Sequence, residues 1–254
     1  IREARFPNQG SLEDFDWSFN AAAIDRTQIE QLATGDWVDR FENLVMLGQS
    51  GVGKSRLLEG IGRRLCVLGK RVRYTTSGDL ITRLTASLAD GTLPRQISYW
   101  TRFDLLIVDE FGLDYVERQL DPQAGHLLFK VIAARNGKSS TALGTNIEFD
   151  AWSEYLGDAP LAMALLDRVV DRAVLLNILG KSYRASRAKR SKAPRPPEPN
   201  GGRRQTGRTT MSEYTLTGKP IIAPLTIVQS VAPSRCRGCW SCWDFIRHAA
   251  EAAI

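Results

Sequence analysis

The chain has 254 residues, 43% of them apolar, enough for one globular domain with a sizeable core and some additional segments. No run approaches the roughly 18 to 20 apolar residues of a membrane span, and IREARFPNQG lacks the apolar stretch of a secretory leader. A soluble, cytoplasmic protein with no membrane partner is expected, and the start at Ile1 instead of methionine suggests a preceding segment. The net charge of +6 is unevenly placed: residues 1–180 hold 20 basic and 24 acidic side chains, residues 181–254 hold 14 and 4.

In chain order, SLEDFDWSFN mixes aromatic and acidic residues, and the alternation of Phe15, Trp17 and Phe19 predicts an extended segment over residues 1–20. Its aromatic residues suit core packing, with contact to an adenine ring as the alternative. Ile24, Ile29, Leu32 and Trp37 then follow a helical pattern. The stretch NLVMLGQSGVGKSRLL, residues 43–58, is an apolar strand that breaks into glycines and opens onto a helix.

Gly48, Gly53, Lys54 and Ser55 in that stretch satisfy G-x-x-x-x-G-K-[ST], with the required strand before and helix after. Glycine allows the left-handed dihedrals that turn successive N–H groups onto an oxyanion, and a helix N-terminus adds its positive end. Gly48, Gln49, Ser50, Gly51, Val52, Gly53, Lys54 and Ser55 are therefore the candidate nucleotide-binding residues. Lys54 supplies a mobile charge for the β- and γ-phosphates, and the Ser55 hydroxyl a magnesium ligand. ATP and Mg2+ are the implied cofactors. An ordinary glycine-rich turn would have no use for Lys-Ser after its last glycine.

Leu57, Leu58, Ile61, Leu65 and Leu68 continue the helix until Gly69, and Cys66 beside them reads as structural. Val72–Thr75 reads as a strand, Leu80, Ile81, Leu84 and Leu88 as a helix, and Pro94 as a connection. FDLLIVDEFG, residues 103–112, is a buried parallel strand with Asp109 and Glu110 at its carboxyl end, where open α/β sheets bind ligands. Asp109 is the expected magnesium holder and Glu110 the acid that polarises the attacking water. A pair of solvated acids is the plainer alternative.

Gln123–Arg135 has a helical stripe, SSTALGTN is a short strand ending in Thr145 and Asn146, two short helices flank Pro160, and AVLLNIL over residues 173–179 is a last apolar run. The alternation of strands and helices predicts an α/β, three-layer domain with a mainly parallel sheet. Lys181, Arg184, Arg187, Lys189, Arg190, Lys192 and Arg195 follow closely; such a run either binds nucleic acid phosphates or forms a solvated extension. APRPPEPNGGRRQTGRTT has the composition of a disordered linker. Cys236, Cys239 and Cys242 with His248 carry zinc-type ligands, although reduced thiols suit that crowded spacing better.

The order LEDFDW, GQSGVGKS, LLIVDEFG, STALGTN, FDAW, LLDRVVD and GKSYR resembles the IstB-type transposition helper ATPases, AAA+ proteins of the same clade as the bacterial replicative helicase loaders. The resemblance spans roughly residues 6–187. It implies that Asn146 is the sensor amide orienting water, and that Arg168 is the arginine a neighbouring subunit inserts into the site. Without it, Arg168 reads as a surface partner for Asp167 or Asp171. Gln49 and Ser50 stand where relatives often have prolines, and GTN where TSN is usual.

The organisation expected is therefore an extended segment over 1–20, an AAA+ ATPase domain over 21–187 and a basic tail over 188–254. The resemblance also implies that an N-terminal helical domain precedes this chain. The implied activity is ATP hydrolysis by a homo-oligomer that assembles on duplex DNA and recruits a transposase, with Lys181, Arg184, Arg187, Lys189 and Arg190 as DNA contacts. A helicase loader shares every motif. A nucleotide-switched scaffold with little turnover would have no use for Glu110, and no acceptor motif supports a small-molecule kinase.

Overall fold

The computed structural model describes residues 1–192, with side chains through Ala188. Residues 1–188 belong to one compact unit. The Cys236, Cys239, Cys242 and His248 cluster and the linker before it lie outside the described residues, as do the side chains of Lys189 and Arg190. No helix among the described residues is long and apolar enough to cross a membrane.

Among the described residues five strands make one parallel sheet in the order β2-β3-β4-β1-β5: β1 is Asn43–Gly48, β2 Val72–Thr76, β3 Leu105–Phe111, β4 Ser140–Thr145 and β5 Ala173–Ile178. Every residue of β1 and β4 is buried, which explains why both read as continuous apolar or small-residue runs rather than as alternating ones. The order brings the ends of β1, β3 and β4 side by side although their segments are far apart in the chain.

Helices cover both faces. On one, α1 (Arg26–Leu32), α2 (Asp36–Asp39) and α3 (Lys54–Val67) pack Ile29, Leu32, Trp37, Leu57, Leu58, Ile61 and Leu65 against Leu44, Met46, Leu105 and Ile107. On the other, α4 (Ser77–Ala89), α5 (Leu93–Thr101), α7 (Ala124–Arg135), α8 (Trp152–Leu156) and α9 (Ala159–Val170) enclose Val45, Leu106, Val108, Phe111 and Leu143. Each fully buried leucine on these faces contributes about 1.5–3 kcal/mol. The short α6 (Tyr115–Leu120) follows β3, and α10 (Tyr183–Lys192) follows β5. Arg135, at the end of α7 and 1% exposed, ties the layers together through the carbonyls of Trp100, Phe103 and Ser140. Burial lowers its pKa to about 9.

The three-layer α/β expectation holds. Two local readings are corrected. Residues 1–20 are not extended: Arg2–Ala4 is a 3-10 turn, and Phe15, Trp17 and Phe19 lie in consecutive turns closed by backbone bonds such as Phe15 N to Leu12 O. Their alternation reflects spacing around turns stabilised by Asp14 and Asp16 side chains. Pro94 lies in the first turn of a helix, α5, where its missing N–H is no loss.

Candidate functional site

The loop between β1 and α3 forms the floor of a cavity of about 490 Å³, a volume suited to one cofactor-sized ligand. Gly48, Gly51 and Gly53 all have positive φ, 152°, 85° and 117°; a side chain would strain the last two. Gly53 caps α3 with no side-chain acceptor, so the first N–H groups of this 14-residue helix are open to an anion. The Lys54 ammonium donates to the carbonyls of Gly48 at 2.6 Å and Gln49 at 3.0 Å. Burial pushes its pKa down, opposed by Asp109 and assisted by the nearby charge of Arg184.

Opposite the loop, β3 delivers its two acids differently. Asp109 is 1% exposed. Its Oδ1 accepts from the backbone N–H of Glu110 and its Oδ2 from the Tyr74 hydroxyl, both at 2.8 Å. Burial, with the Asp109 charge beside it, pushes the Tyr74 phenol far above its usual range, so it remains a donor. Gly144 of the adjacent β4 makes room for Asp109: a Cβ there would collide with Oδ1.

Glu110 occupies a bulge. Val108 pairs with Leu143 and Phe111 with Thr145, so β3 advances three residues where β4 advances two. The extra residue has φ 60° and an exposed side chain. A left-handed glutamate costs roughly 1–2 kcal/mol, and the bulge re-aims it out of the sheet towards the cavity it lines.

Asn146, one residue past β4, also lines the cavity, close against Gly112. The cavity thus gathers Ser50, Gly51, Val52, Gly53, Lys54 and Ser55 of the loop with Asp109, Glu110 and Asn146. Arg168 is not among the lining residues: it lies near the end of α9 with its guanidinium on Asp167. The ion pair foreseen as the plainer alternative is therefore formed.

Arg184 and Arg187 line this same cavity, because the turn before α10 lies across the loop, with the Tyr183 N–H donating to Gly51 O at 2.9 Å. Lys181 is exposed, with its backbone bound to Asn20. Tyr74, Asn20 and Gly144 were not singled out from the sequence. Phe15 and Phe19 line the cavity, and Phe15 also packs with Trp17 against the core of that face.

The residues suit a magnesium nucleotide. Among the described residues no three His, Cys, Asp or Glu side chains gather to hold a metal. A hydroxyl and one buried carboxylate beside an anion cradle match a cation that takes its remaining ligands from phosphate and water.

A parallel sheet in this order, with a phosphate loop after β1 and acids ending β3, defines an AAA+ type P-loop fold. The fold is shared with AMPPCP-bound DnaA from Aquifex aeolicus, at a TM-score of 0.54 and 18% identity over 71% of this chain and 54% of that one. DnaI has the same fold, at 0.51 and 20% over 67% and 91%. The chain thus spans about half of the DnaA structure. The chain belongs to the family of IstB-like ATP binding proteins, whose profile matches residues 1–193. It is 34% identical to the ATP-binding protein of insertion sequence IS5376 from Geobacillus stearothermophilus over 72% of this chain and 71% of the relative. Its identity to the IS21 counterpart from Pseudomonas aeruginosa is 35%, over 72% and 68%.

Proposed function

We propose that this protein hydrolyses ATP with magnesium, in an assembly of several copies on duplex DNA, and that the assembly recruits or activates the transposase of an insertion sequence. The convergence of the phosphate loop, Asp109, Glu110 and Asn146 on one cavity carries the chemical part of this reading. Lys54 and the loop amides would bind the β- and γ-phosphates, while Ser55 and Asp109 would hold magnesium, whose role is to neutralise charge on the phosphates. Glu110 takes a proton from water as the water oxygen bonds to the γ-phosphorus, the bond to the bridging oxygen breaks and ADP leaves. Asn146 orients that water.

Arg168 lies outside the cavity of its own chain, so a charge it supplied to the site would have to come from a second copy. The names of the relatives connect them to insertion sequences, which favours the transposition reading over a helicase loader. Steady-state ATP hydrolysis, measured over a range of protein concentrations with and without duplex DNA, tests the proposal. Specific activity should rise with concentration and again with DNA. Turnover indifferent to both would remove the assembly and DNA parts, and no turnover would remove the hydrolytic part.

A further inference from the structure

Residues 180–183, the end of the β5–α10 connection and the first residue of α10, are bound to the phosphate loop by a side chain from the other end of the unit. Asn20 is 9% exposed. Its amide nitrogen donates to Lys181 O at 3.0 Å and to Val52 O at 3.4 Å, and its amide oxygen accepts from the Lys181 N–H at 3.0 Å. One side chain thus reads both the loop and a segment 161 residues away. The Tyr183 N–H completes the junction on Gly51 O at 2.9 Å.

The fit is close throughout. A Cβ at Gly180 would stand 2.7 Å from the Asn20 amide, and one at Gly51 would collide with the Ser182 hydroxyl. The Phe19 and Tyr183 rings meet edge to face with centroids 5.0 Å apart. Beyond the junction, Arg184 and Arg187 face the cavity.

These contacts bear on the loop's function. A trans peptide directs its N–H opposite to its C=O. With Gly51 O and Val52 O both engaged on the strap side, the N–H groups of Val52 and Gly53 turn away from the strap, the orientation an anion requires. We propose that Asn20 is a positioning residue that latches the 180–183 strap onto the phosphate loop, so that filling the cavity with nucleotide and seating the start of α10 are one coupled event. The inference rests on the reading of the cavity as a nucleotide site. Coupling of this kind is reciprocal: whatever favours the latched loop protects the strap, and a released strap weakens nucleotide binding.

The test uses the full chain and a non-hydrolysable ATP analogue with magnesium. Trypsin cleavage after Lys181, identified by fragment mass, reports the released strap, because it tracks the open population when closing is fast. Calorimetry gives analogue affinity, and the thermal midpoint without nucleotide reports stability. In the wild type the analogue should slow cleavage after Lys181. Asn20→Ala should weaken the analogue about tenfold and remove the protection. Gly180→Ala, whose methyl displaces the Asn20 amide, should move both readouts the same way, and it decides the matter if Asn20→Ala does not fold.

A purely structural Asn20 would lower the thermal midpoint and leave analogue affinity and analogue-dependent protection as in wild type. That result overturns the latch, as does a wild type that binds the analogue without protecting Lys181. A wild type that does not bind the analogue overturns the nucleotide reading itself. Binding with an unmoved Asn20→Ala overturns only the latch.

Discussion

The Tyr74 hydroxyl on β2 donates a 2.8 Å hydrogen bond to Oδ2 of Asp109 on β3, and both side chains are buried. The neighbouring strands thus fix the rotamer of the acid assigned to magnesium. Tyr74→Phe removes the donor and keeps the ring. The magnesium concentration for half-maximal hydrolysis should rise about 3- to 10-fold, the effect of one net hydrogen bond, with nucleotide affinity in chelator unchanged. A magnesium titration with an unmoved midpoint would reduce the hydroxyl to packing.

Gly144 acts on the same carboxylate from the other side. Gly144→Ala sets a methyl against Oδ1 of Asp109 and 2.9 Å from Leu58 Cδ1. Overpacking of this kind costs about 1–3 kcal/mol, visible as a lower midpoint in denaturant. Hydrolysis should fall by more than the loss of folded protein explains, because Asp109 is the group displaced. Full specific activity in the folded fraction would contradict the assignment.

Arg168 pairs with Asp167 and lies outside the cavity of its own chain. Arg168→Ala should leave ATP binding intact and lower hydrolysis on the order of 10³-fold. Lys54→Ala should lose binding or turnover. Mixing the two variants should restore activity, since one contributes an intact loop and the other an intact arginine. Mixtures no more active than the sum of their parts would exclude action across an interface.

Arg184 stands in the cavity, and its charge reaches Lys54. Arg184→Ala should weaken ATP several-fold and leave the slope of log affinity for DNA against log salt unchanged. A slope shallower by about one would return this arginine to the phosphates of DNA.

The sheet and the phosphate loop were legible because their signals are local. Buried strands demand continuous apolar runs, as in LLIVDE, and the glycines of the loop are dictated by its dihedrals. Asp109 and Glu110 were legible by their place at a strand end, although nothing in LLIVDEFG announces that the second is the extra residue of a bulge. Arg184 and Arg187 were absorbed into a basic run, since charge density carries no information about which way a helix start faces. Asn20 was missed because its partners lie 32 and 161 residues away, and an amide among turn residues resembles any other turn former. Tyr74 was hidden inside a strand whose two faces are both buried, so no alternation marked the side on which its hydroxyl would find a carboxylate.

The bulge at Glu110 also affects how this protein can change. Leu105 and Ile107 pack on one face of the sheet, and Leu106, Val108 and Phe111 on the other, so the extra residue switches Phe111 to the face that simple alternation would deny it. Glu110 is the one exposed position of β3. Exchanging it leaves the packing untouched, and deleting it would restore regular pairing with Phe111 still on its present face, because Val108 and Phe111 would then be two residues apart like Leu143 and Thr145. On the role proposed for Glu110, turnover can thus be tuned or silenced at this position at almost no risk to folding.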